Sequence, residues 1–182
     1  MKTIIVYSSQ TGFTKRYAEW LAEETGAELL TIAEAKKRSS DYFDAADAII
    51  YGGWAMGGKI VNSEWFTQRI PAWKGKKLVL FCVGASPNEL PEVEVALHNA
   101  LTDEERKYAR AFYCQGGIAY DKMKVPARLA MKAFAAMVRN KKDATPQEKD
   151  MGEMISHSYD ISDRKFIMPI VEYLGTLLPP RA

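Results

Sequence analysis

The chain has 182 residues, 47% of them hydrophobic and 26% charged, with a formal net charge of +2. That profile excludes a disordered chain and does not point to nucleic acid, and no apolar run reaches the length of a membrane-crossing helix. One domain over residues 1–182 is expected, long enough to bury a substantial core. The N-terminus lacks the basic, apolar and cleavage-site succession of a secretory signal, so a cytoplasmic location is the expectation. Cys82 and Cys114 lie in apolar runs without CxxC spacing and are read as reduced core thiols.

Lys2-Thr3-Ile4-Ile5-Val6-Tyr7 is a short β-branched run that passes directly into Ser8-Ser9-Gln10-Thr11-Gly12-Phe13-Thr14. Helical spacing of Tyr17, Trp20, Leu21 and Glu24 follows, and Gly26 is placed to end the helix. A strand that delivers hydroxyls and a glycine to a helix N-terminus builds an anion site, because the N–H groups of the first turn have no helical partner. Ser9, Thr11 and Thr14 add hydroxyl donors, and Gly12 allows a tight turn or close approach. With no lysine in the loop to neutralise a triphosphate, a single phosphate is the favoured occupant.

Leu29–Ile32 reads as the second strand, residues 33–46 as short helix or loop, and Ala48–Tyr51 as a third strand ending at Gly52-Gly53. Helical spacing over Trp65, Phe66 and Ile70 stops at Pro71; Leu78–Val83 is the fourth strand, ending at Gly84. A helix over about Val93–Ala100 and a charged stretch over Asp103–Arg110 lead to the fifth strand, Ala111–Cys114, which ends at Gly116-Gly117. The last helix is expected over Asp163–Leu178, before Pro179-Pro180. Uniformly apolar strands alternating with helices describe an α/β fold with a doubly wound parallel sheet, whose ligands bind beyond the C-terminal strand ends. Gly53 through Lys59 matches the start of a Walker A motif, but Ile60 stands where the Mg²⁺-binding Ser or Thr belongs, which argues against nucleotide hydrolysis.

Ser9-Gln10-Thr11-Gly12-Phe13-Thr14, directly after the N-terminal strand, resembles the phosphate-binding loop of flavodoxins. The resemblance implies a five-stranded sheet of order 2-1-3-4-5 and FMN as cofactor, with these six residues holding its phosphate. It further implies that Gly53, Trp54, Ala55, Met56, Gly57 and Gly58 form one loop against the isoalloxazine ring, with Trp54 or Met56 over a ring face. A peptide flip at Gly57-Gly58 would then stabilise the semiquinone, as in flavodoxins. Val83, Gly84, Ala85 and Ser86 take the place of the second ring-clasping loop and offer backbone N–H groups, although the aromatic and acidic residues usual there are absent apart from Glu89.

Residues 118–162 exceed what this fold needs and are read as a helical insertion. Ala127, Ala130, Met131, Phe134, Met137 and Val138 fall on one helical arc, with Arg128, Lys132 and Arg139 to one side, which describes a basic amphipathic helix. It is read as packed on the domain, as a docking face for an acidic partner, or as a peripheral membrane contact around Arg128–Arg139. Lys141–Asp150 is read as a polar loop. The succession of glycine-ended loops, Gly116-Gly117-Ile118-Ala119-Tyr120-Asp121, basic helix, and Tyr159-Asp160-Ile161-Ser162-Asp163 is similar to the branch that includes the menaquinone-dependent protoporphyrinogen oxidases.

The expectation is therefore an FMN-binding, one-electron carrier that cycles through a semiquinone and exchanges electrons with a partner protein or small molecule. A flavin-dependent dehydrogenase of the protoporphyrinogen oxidase type is the alternative, with Phe112–Tyr120 and the insertion helix walling a substrate pocket. A non-redox binding module on the same architecture is the alternative of another class. None of these readings calls for a catalytic side chain or a metal, and His98 and His157 are read as surface residues.

Overall fold

A computed structural model describes residues 1–143 and 145–175. Strand β1 (Thr3–Tyr7) leads into helix α1 (Phe13–Thr25), and β2 (Glu28–Thr31) follows Gly26. Gly26 takes the left-handed conformation (φ 65°) that closes a helix, and its N–H returns to the Ala22 carbonyl. Short helices α2 (Ile32–Ala35) and α3 (Ser40–Asp44) fill the stretch before β3. Strand β3 (Ala48–Met56) turns back into β4 (Lys59–Ile60); α4 (Glu64–Thr67) and a 3₁₀ turn over Ile70–Trp73 then lead to β5 (Lys77–Gly84). Helix α5 (Pro91–Asn99), a 3₁₀ turn and β6 (Ala109–Gln115) complete the sheet.

The sheet order is β2-β1-β3-β5-β6, all parallel, with β4 antiparallel to β3. Omitting the two-residue β4, this is the expected 2-1-3-4-5 order. Successive residues of the central strands point to opposite faces and enter two cores. Ile4, Val6, Ile49, Tyr51, Leu78 and Leu80 pack under an aromatic cluster of Phe43, Trp65, Phe66 and Trp73. Ile5, Ile50, Val79, Phe81 and Cys114 pack on the other face against Tyr17, Ala18 and Leu21 of α1. Cys82 and Cys114 are buried and unpaired, and burial alone pushes the Cys82 thiol up to about 12, which keeps it protonated and unreactive.

The third strand does not end at Gly52-Gly53. It continues through both, because the two missing side chains make room for packing. A Cβ at Gly52 would lie 2.1 Å from the Phe81 ring, and one at Gly53 would lie 2.7 Å from both the Ile60 side chain and the Val61 carbonyl. Nor is Gly53–Lys59 a strand-to-helix phosphate loop: it is a β-hairpin, and Ile60 is buried in the core.

Beyond β6, β7 (Gly117–Ile118) and a 3₁₀ turn precede α6 (Val125–Arg139), α7 (Pro146–Met154) and β8 (Tyr159–Asp160), which pairs antiparallel with β7. The expected polar loop over Lys141–Asp150 is corrected: α7 starts inside it, with Thr145 and Glu148 capping each other's backbone N–H groups and Pro146 in the first turn. The segment has its own small core of Ile118, Tyr120, Ala135 and Ile155. Part of the predicted amphipathic arc is also turned around: Met131 and Val138 pack inward, but Phe134 and Met137 face solvent. A 3₁₀ turn over Arg164–Ile167 and α8 (Met168–Leu174) follow, and the expected extension of this helix over residues 176–178 lies outside the described residues. Among the described residues no helix is long and apolar enough to cross a membrane.

The segment is tied to α1 by charge. Arg16 donates to Asp160 at 2.5 Å and to the Ser162 hydroxyl at 2.6 Å. Burial pushes the Asp160 carboxyl up, but the Ser162 and Arg16 hydrogen bonds outweigh it and hold the group below its ordinary value of 3.8. A lowered folded-state value means that this contribution to stability is complete above the ordinary value and is lost as pH falls through the lower one. The gap in urea midpoint between the native chain and Asp160→Asn is therefore expected to be full at neutral pH and to close below about pH 4.

Candidate functional site

Because β1, β3 and β5 are adjacent and parallel, the loops that leave their C-terminal ends stand side by side. The register sets them level: Tyr7 is opposite Gly52, and Trp54 is opposite Val83. Ser9 to Thr14, the Trp54–Gly58 hairpin and Val83 to Ser86 are thus brought to one edge of the sheet.

The first loop ends in an uncapped helix. Gly12 sits at the N-cap of α1 with φ 102° and has no side chain to accept from the helix, and its own N–H donates to the Ser9 hydroxyl at 3.2 Å. The helical ladder starts only with Arg16 N–H to the Gly12 carbonyl, at 3.0 Å, so the Phe13, Thr14 and Lys15 N–H groups lie ahead of it. The first turn has no acidic residue. It carries Lys15 and Arg16, which the positive end of a helix disfavours. α2 and α7 are built the opposite way, each closed by a Thr and Glu capping box. An anion bound at the loop would supply what α1 lacks. Thr14 is buried beneath the loop, while Ser9, Gln10, Thr11 and Phe13 are half-buried around it.

A hydrogen-bonded chain fixes this loop to the hairpin. Asn62 Nδ2 donates to Ser8 Oγ at 3.0 Å, Ser8 and Tyr51 hydroxyls meet at 2.8 Å, and Tyr51 donates to the Val61 carbonyl at 2.8 Å. Burial pushes the Tyr51 phenol up to about 12, so it remains a donor. The hairpin itself turns on Gly57 and Gly58, both at positive φ (57° and 74°), between paired Met56 and Lys59. Two-residue hairpins with both central residues at positive φ are the glycine-demanding kind. Around both glycines the space is open. Trp54 is half-buried, whereas Ala55 and Met56 are exposed.

The third loop is held from behind by two tyrosines. Tyr113 of β6 donates to the Ser86 carbonyl at 2.9 Å and Tyr159 of β8 to the Ala85 carbonyl at 2.8 Å. The Ala85 and Ser86 N–H groups bond to no backbone carbonyl among the described residues. Gly84 is required by Tyr113, whose hydroxyl would lie 2.3 Å from a Cβ there. These supports, together with Asn62 and Tyr51, are functional residues that reading the sequence misses. Tyr159 is 74 positions from its partner, so no local pattern announces it.

A cavity of about 490 Å³ adjoins the first loop, between the start of α1 and the β7–β8 pair; Thr11, Phe13, Arg16, Ile118, Lys122 and Tyr159 are among its lining residues. Of the wall expected from Phe112–Tyr120 and the insertion helix, Ile118 and Ala119 line this cavity. Neither α6 nor Phe112 lines this cavity; Phe112 packs instead on Tyr173. His98 is exposed and His157 pairs with Glu153 at 3.2 Å, both away from the three loops. Gly57→Ala is expected to cost about 1 kcal/mol of unfolding free energy in denaturant titration, because alanine must adopt the left-handed conformation there.

Residues 4–145 match the family model described as the flavodoxin domain. No curated protein matches the chain. Among solved structures, it is similar to the flavodoxin, WrbA-like protein from Agrobacterium tumefaciens, with 28% identity over 71% of this chain and 91% of that one and a TM-score of 0.43. It is also similar to two-electron reduced Megasphaera elsdenii flavodoxin, with 21% identity over 85% and 98% and a TM-score of 0.45. For oxidised Flavodoxin 2 from Bacillus cereus the values are 16% over 86% and 98%, with a TM-score of 0.41. With the family model matched over most of its length, the chain belongs to the flavodoxin domain family.

Proposed function

We propose that this chain is an FMN-binding redox protein that passes electrons one at a time between a donor and an acceptor. The observation that carries the reading is the uncapped, acid-free start of α1 beneath Gly12, which leaves N–H donors and the Ser9, Thr11 and Thr14 hydroxyls for one phosphate. Gln10 and Phe13 complete that loop. Trp54 or Met56 covers a ring face, with Gly53 and Ala55 setting the backbone between, and the free N–H groups of Ala85 and Ser86, after Val83 and Gly84, serve a polar ring edge. The open backbone at Gly12, Gly57 and Gly58 suits a planar ligand carrying a phosphate tail.

FMN, when bound, supplies the electron and proton chemistry. The protein's part is to bind, orient and tune. Tyr113 and Tyr159 hold the third loop rigid, and the Asn62-Ser8-Tyr51 chain keeps the first loop and the hairpin at a fixed separation. The peptide between Gly57 and Gly58 can rotate between the two hairpin turn forms, since glycine accepts both signs of φ at the second position. It thereby presents either its carbonyl or its N–H to the site.

A second reading, a flavin-dependent dehydrogenase of the protoporphyrinogen oxidase type, is favoured by the cavity beside the first loop, which has room for a small molecule between the start of α1 and the β7–β8 pair.

The test is titration of the purified chain with FMN. Binding is expected, and Thr11→Ala combined with Thr14→Ala should weaken it by about 2 kcal/mol, roughly thirtyfold, through two lost hydroxyl bonds. Unchanged affinity in the double variant would overturn the loop assignment. On stepwise anaerobic reduction of the loaded protein, a distinct absorption spectrum at half reduction is expected; direct bleaching in one two-electron step would favour the dehydrogenase.

A further inference from the structure

The face of α6 that looks away from the protein is apolar along its whole length. Val125, Leu129, Phe134 and Met137 are 57%, 62%, 47% and 64% exposed, and among the described residues no element covers them. Helical spacing places these four, with Pro126, Ala130, Ala133 and Ala136, on one continuous outward arc opposite Met131, Ala135 and Val138. A fifteen-residue helix extends about 22 Å, so this is a sizeable strip rather than a single exposed side chain.

Its surroundings are basic. Residues 122–142 contain seven Lys and Arg and no Asp or Glu, whereas the rest of the chain has 18 Lys and Arg against 23 Asp and Glu. A nearly neutral molecule thus concentrates its positive charge on one helix and its two ends. Arg139 and Lys141 are engaged by Glu153 and Glu148 of α7. Lys122, Lys124, Arg128 and Lys142 make no ion pair among the described residues, and Lys132 lies over the Tyr120 ring at 5.7 Å. Arg128 and Lys132 stand at the margin between the buried and outward arcs, where long side chains lay their apolar stems on the strip and carry the charge outward.

We propose that this face of α6 docks on an anionic phospholipid bilayer, the helix lying in the surface with Leu129, Phe134 and Met137 inserted and the flanking lysines and arginines at the headgroup phosphates. An exposed apolar strip with cations at its margin and ends fits an anionic surface. The nearby Glu148 and Glu153 are paired with Lys141 and Arg139, and the helix itself carries no carboxylate. The proposal stands independently of the flavin reading.

The test is co-sedimentation at physiological ionic strength with phosphatidylcholine vesicles and with vesicles containing an equal share of phosphatidylglycerol. Binding only to the anionic vesicles is expected, and Leu129→Glu with Phe134→Glu should weaken it by about tenfold or more. Circular dichroism checks that this double variant is folded. In a second measurement on an otherwise native chain, an environment-sensitive dye on Met137→Cys should shift to the blue on anionic vesicles alone. Absence of binding, equal binding to neutral vesicles, undiminished binding by the folded double variant, or an unshifted dye would each overturn the proposal. Dimerisation in sedimentation velocity that the double variant abolishes, without vesicle binding, would assign the face to a second copy instead.

Discussion

The parallel register of β1, β3 and β5 is the constraint on which the rest of the structure depends. Over Ile4–Val6, Ala48–Tyr51 and Leu78–Val83 these strands are buried on both faces, so each side chain there has a place in one core or the other, and a slip by one residue would exchange the two sets. Fixing the register also fixes where each strand runs out. The three loops leave the same edge because Tyr7 is opposite Gly52 and, two residues further along β3, Trp54 is opposite Val83. Gly52 shows how closely site and core are coupled: the Phe81 ring occupies the space of its missing side chain, so the path of β3 toward the hairpin is set by packing well below the site.

Above that edge, the polar groups divide into those committed to the protein and those left over. The carbonyls of Ala85 and Ser86 are taken by tyrosines, Ser8 is taken by Asn62 and Tyr51, and the N-termini of α2 and α7 are closed by their own side chains. The start of α1 is left open, with basic residues in a position that helix electrostatics disfavours. Two other helices, α2 and α7, use Thr and Glu for the same task. What sets α1 apart from the other helices without a side-chain cap is the left-handed Gly12 at its N-cap, φ 102°, at the C-terminal edge of the sheet.

How much of this was legible in the sequence follows from the range of each interaction. The strands were legible because fully buried strands are uniformly apolar, and the first loop because its residues are consecutive and each has a local role. β3 was cut short because Gly52-Gly53 reads as punctuation until Phe81 and Ile60 are known to stand beside it. α7 was missed although Thr145, Pro146 and Glu148 spell a helix start, since the polar composition of the stretch suggested loop. On α6 almost every position except the basic ones is apolar or small, so periodicity could not say which arc faces inward, and Phe134 and Met137 were assigned to the wrong one. Tyr113 and Tyr159 could not be read at all, because their partners lie 27 and 74 residues away.

The segment that carries α6 and α7 leaves and rejoins the fold at nearly the same point. Gly117 pairs with Asp160, and the Ile161 N–H returns to the Gly116 carbonyl at 2.8 Å. A Cβ at Gly117 would lie 2.1 Å from the Tyr159 carbonyl, so the two backbones touch there. Such a narrow neck makes the segment exchangeable: its helices can be lengthened, shortened or replaced without moving β6 or α8. The Tyr159 bond to the third loop and the Arg16 bonds to Asp160 and Ser162 would then register the change, so the surroundings of the site can diversify while the sheet beneath it stays the same.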